Sequence, residues 1–191
     1  MTEGKIVFEG QTHKGLEVTL RYPRREDTYA LWEFINTLSQ EQTYILIQGI
    51  EISLEDEQHY VEGMLEDIAA GKLVQVLAFS GDRLIGNTEI RQEALSSSHV
   101  GSLGIAVAQA YRGQGVCELL INTVYNEAVA RLRGLRMVTL SVFGNNPAAI
   151  HLYRKVGYVD YGLLPGGYRH RDQYVDRLYM VKTLQSPTDT P

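Results

Sequence analysis

Between residues 103 and 132 the spacing of apolar side chains changes period, and glycines bridge the change. Leu103, Ile105 and Val107 alternate with Gly104 and Ala106, the period of a half-buried strand. From Val116 onward, Val116, Leu120, Val124 and Ala128 recur every fourth residue, with Leu119 and Leu132 widening the stripe of an amphipathic helix. Arg112-Gly113-Gln114-Gly115-Val116-Cys117 lies at the junction. A strand, a glycine turn and a helix in that order aim backbone N–H groups and the positive helix end at an anion. Glycine lets that backbone approach a phosphate with no Cβ in the way. The segment therefore predicts a phosphate-binding turn.

Two common phosphate turns do not fit. A P-loop needs a Lys-Ser/Thr pair after the glycines, and none follows. A dinucleotide fingerprint needs a third glycine three residues after Gly115, where this chain has Glu118. A second motif narrows the choice: Asn145-Asn146-Pro147-Ala148-Ala149-Ile150-His151-Leu152-Tyr153, followed by Lys155-Val156-Gly157-Tyr158. Asn146 before Pro147 is a helix start, and Gly157 a helix stop.

Together the two motifs resemble the GNAT superfamily of acyl-CoA-dependent N-acetyltransferases. Its signature is Arg/Gln-x-x-Gly-x-Gly/Ala, then Asn-x-x-Ala-x-x-Leu-Tyr, ending in Gly-Phe/Tyr. The resemblance spans at least residues 73–183, with both motifs in order and at the right spacing. Cys117 departs from it, standing at the final Gly/Ala position; it is small and buries readily, and it tightens the space near the pyrophosphate.

The resemblance implies a mixed, mostly antiparallel central sheet with helices on both faces, one N-acetyltransferase domain over residues 1–184, and acetyl-CoA as co-substrate without a metal. It implies cofactor contacts from the free strand edge at Ile105, Ala106 and Val107, from the turn Arg112, Gly113, Gln114, Gly115, Val116 and Cys117, and from Asn146, Tyr153 and Lys155. Arg112 is expected on the pyrophosphate; Lys155 or Arg154 can reach the ribose phosphate, though each is equally a solvated surface charge. Asn146 is explained by helix capping and by pantetheine contact alike.

The residues themselves outline an α/β sheet packed on both faces. Strand patterns occur at Lys5–Phe8 and Leu16–Tyr22, then at 73–80, 83–91, 98–107, 136–143, 158–164 and 173–183. One helix follows Pro23 through Ala30, Leu31, Phe34 and Ile35. Ser53-Leu54-Glu55-Asp56 resembles a capping box and opens a second helix to about Ala70. Gly104 inside its strand is consistent with a bulge that opens the sheet, which the resemblance implies. Gln185–Pro191 is polar and proline-bearing, which predicts a mobile tail.

Moving an acetyl group from a thioester to an amine needs a neutral amine, although an alkyl ammonium has a pKa of about 10.4. It also needs a stabilised oxyanion and a proton for the departing thiolate. Tyr153 is similar in position to the tyrosine that many family members set beside the CoA sulfur, which makes it the candidate acid. One of twelve tyrosines, it is marked by motif register and not by type. For the base, His99 falls where some family members place a glutamate or histidine facing the amine, and a pKa near 6.5 suits that work. Glu89 on the neighbouring strand is the alternative, and water chains serve many members instead. Cys117 has no histidine nearby in sequence, and direct transfer needs no acyl-enzyme. The acceptor site is expected between the loop at 39–52 and a turn at 165–172, with Tyr44, Glu51 and Tyr174 lining it.

Composition sets outer limits. A chain of 191 residues with net charge −5 and pI near 5.5 fits one domain and argues against nucleic acid as the main partner. A single cysteine makes no internal disulfide, pointing to a reducing compartment. With no apolar signal core and no stretch long enough to span a bilayer, a soluble cytoplasmic protein is expected. The expected partner is a small-molecule amine, with a homodimer left open. A protein N-terminal or lysine acetyltransferase and a non-catalytic acyl-CoA sensor are the alternatives.

Overall fold

The computed structural model describes residues 3–184, so the predicted tail lies outside the described residues. In chain order the elements are β1 (Ile6–Gln11), β2 (Glu17–Arg21), α1 (Thr28–Gln40), α2 (Leu54–Ala69), β3 (Leu73–Ser80), β4 (Arg83–Gln92) and β5 (Val100–Val107). After these come α3 (Val116–Arg131), β6 (Met137–Phe143), α4 (Pro147–Lys155), β7 (Val159–His170) and β8 (Gln173–Thr183). The strands form one eight-stranded sheet in the order β1-β2-β3-β4-β5-β6-β8-β7. Every neighbouring pair is antiparallel except β5 and β6.

Strand alternation in the middle of the sheet builds two apolar layers. Val74, Val76 and Ala78 of β3 face the side covered by Val116, Leu120, Val124 and Ala128 of α3. Leu73, Leu77 and Phe79 face the other side, where Leu31, Phe34 and Leu38 of α1 and Val61, Met64 and Leu65 of α2 cover them. This is the period-2 and period-3.6 patterning of the chain realised as layers. The Ser53 side chain caps α2, accepting from the Asp56 N–H at 3.1 Å.

The feature that makes a site is the brief pairing of β5 with β6. Its register covers only Val100↔Met137, Gly101↔Val138 and Ser102↔Thr139. Beyond Ser102 the strands part, leaving one backbone edge of Leu103–Val107 facing a gap, while β6 runs on paired with β8 to Phe143↔Arg177. A Gly104 bulge is not what opens the sheet: β4 and β5 pair without a shift from Gly86↔Val107 to Gln92↔Gly101. Gly104 instead makes room for a side chain, since a Cβ there would stand 3.3 Å from Glu89 Cγ.

The turn expected at 165–172 is also corrected. Pro165, Gly166 and Gly167 sit inside β7, absorbed by a register shift between Leu164 and Tyr168, and the chain reverses only after His170. Because β7 is an edge strand, Pro165 breaks no ladder on its outer side.

Candidate active site

Two cavities flank the gap between β5 and β6. The first is a cleft of about 650 Å³ against α3 and α4; the second, about 410 Å³, lies over β6, β7 and β8. Tyr44, Ile45, Ile105, Asn146 and Tyr153 line both, so the two meet where β5 and the start of α4 face each other.

The larger cleft gathers most of the sequence-predicted cofactor residues. Ile105, Ala106 and Val107, Gly113, Gly115, Cys117, Asn146, Tyr153 and Lys155 line it. Gly113 and Gly115 take positive φ, +72° and +84°, a region costly for side chains with a Cβ. Gly115 caps α3 without a side-chain acceptor, so no capping group competes for the first-turn N–H groups that an anion would meet. Gln114 and Val116 do not line the cleft: the Gln114 amide donates to the Ala110 carbonyl at 2.9 Å, and Val116 is buried in the core. Only their backbone can serve a phosphate.

Arg112 needs correcting in kind. Its Nε donates to the Val107 carbonyl at 2.9 Å, and its guanidinium is paired with Glu41 and reaches the Thr43 hydroxyl. It lines the cleft but ties the end of β5 to the loop after α1, so its charge is already matched. Lys155 pairs with Glu118 at 2.7 Å on the cleft wall, whereas Arg154 pairs with Asp160 and does not line the cleft. Missed altogether were His13 and Lys14, on the turn between β1 and β2. The Thr12 carbonyl accepts from Gly15 N–H at 2.9 Å to form this turn, which presses on the glycine turn so closely that a Cβ at Gly115 would meet the His13 ring at 2.7 Å. No local signal marks these two residues, because sheet assembly brings them there.

Asn146 caps α4, accepting from the Ala149 N–H at 3.2 Å, and also faces both cavities. Seven residues on, Tyr153 projects into the junction, where burial first, and then Cys117 and Tyr168, push its hydroxyl above the usual phenol range. That keeps the phenol protonated, so its hydroxyl can give a proton or a hydrogen bond. Burial also raises the Cys117 thiol to about 11, against the lowering pull of Arg112, so the group is a thiol and not a nucleophilic thiolate.

The smaller cavity corrects most of the acceptor predictions. Tyr44 is in place, its hydroxyl donating to the Asn145 carbonyl at 3.0 Å. Glu51 is exposed and outside both cavities, and Tyr174 stands 80% exposed on β8 next to the β7–β8 turn. His99 is exposed in the turn before β5, at the end where that strand still pairs with β6, so it does not reach the gap. The wall is built instead by Ser102, Thr139, Ser141, Phe143, Tyr161, Tyr168, Arg177 and Tyr179. Strand alternation hides these residues in the sequence, since nothing local says which face of β6 and β8 meets the gap.

Glu89, the other expected base, lines neither cavity but lies one strand away from the smaller one. It is opposite Gly104 in the β4–β5 register, and Gly104 lines the smaller cavity. Burial pushes its carboxyl above the usual carboxylate range, with Arg91 and Tyr60 pulling the other way. Its Oε2 is buried without a hydrogen-bond partner, as are both amide atoms of Gln75, its cross-strand neighbour. Buried polar groups in such a state are normally served by water. Glu57 of α2, on the same side of the sheet, is buried too and pushed up to about 7. Among the described residues, no group of three or more His, Cys, Asp or Glu side chains could hold a metal ion, and no helix is long and apolar enough to cross a membrane.

Residues 26–158 match the model of the acetyltransferase (GNAT) family, and the chain belongs to that family. It is an acetyl-CoA-dependent acetyltransferase. Among solved structures, it resembles the acetyltransferase of the GNAT family from Streptococcus pneumoniae, with a TM-score of 0.79 and 26% identity over 88% of this chain and 100% of that one. It resembles the ribosomal-protein-alanine N-acetyltransferase from Brucella melitensis, with a TM-score of 0.75 and 22% identity over 86% of this chain and 99% of that one. The microcin C7 self-immunity acetyltransferase MccE, solved in complex with acetyl-CoA and AMP, matches with a TM-score of 0.72 and 14% identity over 90% and 94% of the two chains. No curated protein matches.

Proposed function

We propose that this protein transfers an acetyl group from acetyl-CoA directly to the primary amine of a small molecule. Acetyl-CoA would lie in the larger cleft, its pyrophosphate at the Gly113–Gly115 turn and its thioester at the junction beside Tyr153. The acceptor amine would enter from the smaller cavity and lose its proton toward Glu89 through water near Gln75. Its nitrogen then attacks the thioester carbon, the carbon–sulfur bond breaks as Tyr153 protonates the departing thiolate, and the proton shed by the new amide nitrogen restores the Tyr153 phenol.

The observation that supports a small acceptor is the cover over the smaller cavity. Tyr44, Ile45 and Leu46 line it, and their loop is anchored at both sides. Ser39 donates to the Ile50 carbonyl at 2.5 Å, the Gln48 amide donates to the Arg169 carbonyl at 3.2 Å, and the Arg171 N–H donates to Gln48 Oε1 at 3.1 Å. A loop pinned from α1 to the β7–β8 turn narrows the approach that an extended peptide would need. The likeness to a ribosomal-protein acetyltransferase keeps peptides as the second reading. Thiol release from acetyl-CoA, measured across a panel of small amines and N-terminal peptides, tests the choice. Turnover confined to peptides would overturn the small-molecule reading.

A further inference from the structure

Within the acceptor cavity the charge is unevenly placed. Of the described residues that line it, Arg177 is the one charged side chain; the rest are aromatic, hydroxylic, amide or apolar. The guanidinium lies against two rings, 4.9 Å from the Tyr168 centroid and 4.9 Å from that of Tyr179. Its Nε is buried and has no hydrogen-bond partner, and no carboxylate among the described residues lies within ion-pair distance. The carboxylate next to it in sequence is engaged elsewhere, Asp176 Oδ1 accepting from the Gly166 N–H at 3.1 Å.

A guanidinium taken partly out of water without a counter-ion is unfavourable, and stacked rings recover only a part of that loss. The two rings also hold the planar fork in place, which suits it to a planar or tetrahedral oxyanion. Ser141 and Tyr168 add hydroxyls on the same wall, 2.6 Å apart. The position on the sheet fits as well: Arg177 pairs with Phe143 at the end of β6, while Gly104 of β5 lines the same cavity from across the gap.

Resting on the acetyl-transfer reading for the location of the amine, we propose that the acceptor carries a second group, an oxyanion, and that Arg177 binds it. The acceptor is thus an amine bearing a carboxylate, phosphonate or phosphate. The net negative charge of the chain would by itself favour a purely cationic amine; this local charge selects a different class.

Binding is the readout that separates this proposal from the catalytic one. Titration calorimetry on the protein saturated with CoA would compare α-amino acids with their amides and decarboxylated amines, and aminoalkylphosphonates with their neutral esters. The expected result is tighter binding of the anionic member of a pair by about 10- to 100-fold, the scale of a charge-assisted hydrogen-bonded contact. That preference should be lost in Arg177→Gln and partly kept in Arg177→Lys, with the acetyl-CoA thermal shift showing that each variant is folded. Equal binding within every wild-type pair, or an unchanged preference in either variant, would overturn the proposal. The phosphonate and carboxylate arms decide between the two oxyanions. Absence of acetyl transfer to any bound amine would count against the function proposed above and leave the binding result standing.

Discussion

The two cavities that meet at Tyr153 are made in different ways. The larger cleft, where we propose that acetyl-CoA binds, is mostly the product of two contiguous motifs, Arg112–Cys117 and Asn146–Tyr153, each placed at the start of a helix. The smaller cavity, proposed for the acceptor, draws single residues from the loop after α1 and from β5, β6, β7 and β8. A phosphate is held by backbone geometry, which glycine and capping residues specify over a few positions. A small amine is held by side chains whose facing depends on strand register. The first kind of site is written locally; the second exists only after the sheet has formed.

The sharpest way to break this contrast is Gly115→Glu. The substitution forces a side chain at φ +84°, against the His13 ring, and sets a negative charge where the pyrophosphate should bind. The stabilisation by acetyl-CoA, which grows as ln(1 + [L]/Kd), should vanish in a thermal-shift assay while circular dichroism still reports a folded protein. A surviving shift would mean that the turn does not carry the phosphate.

Next in size is Tyr153→Phe, which keeps the ring packed against Tyr158 and removes only the hydroxyl. Turnover should fall by about 10²-fold with acetyl-CoA affinity nearly unchanged. Loss of affinity with normal turnover at saturation would move Tyr153 from the chemistry to cofactor positioning.

On the acceptor side, Glu89→Gln should lower turnover by about 10-fold or more. The pH profile sharpens the test. A base works deprotonated, and burial raises the Glu89 carboxyl, so the acidic limb of kcat should sit above the ordinary carboxylate range. In the glutamine variant that limb should disappear; a persisting limb would assign it to another group.

The smallest effect concerns stability alone. Glu57 is pushed up to about 7 by burial, so the folded state holds a proton that the unfolded chain releases at lower pH. Stability therefore falls as pH rises from the usual carboxylate range through 7. Glu57→Gln should be more stable than the parent at pH 8, by on the order of 2 kcal/mol, with the difference closing toward pH 5. Denaturant melts at the two pH values check this, and a pH-independent difference would refute it.

Much of the fold was legible in the chain. The span 73–80 was read to the residue, and the helices at 116–131 and 147–155 announced themselves through periodicity, Asn146 and Pro147. β7 was cut short because Pro165-Gly166-Gly167 reads as a turn, whereas an edge strand can take these residues up in a bulge. His99 was placed by its register to the family motif, and Glu51 and Tyr174 by the segments expected to bound the acceptor; each proved to be exposed and away from the gap. Arg112 was expected on the pyrophosphate because its partner Glu41, seventy-one residues earlier, leaves no local trace.

What the sequence by itself determined is the local shape of the larger cleft: glycines that accept positive φ, a helix start with no capping side chain of its own, and a tyrosine in fixed helical register. These are consequences of backbone stereochemistry over a few residues, and they need no distant partner. Only the tertiary structure decided the rest. The parting of β5 from β6 after Ser102, the arrival of His13 beside Gly115, and the meeting of Arg177 with two tyrosine rings all depend on strand pairing across the sheet. Because side chains alternate between faces along a strand, a slip of one residue in register would turn each of them to the opposite face.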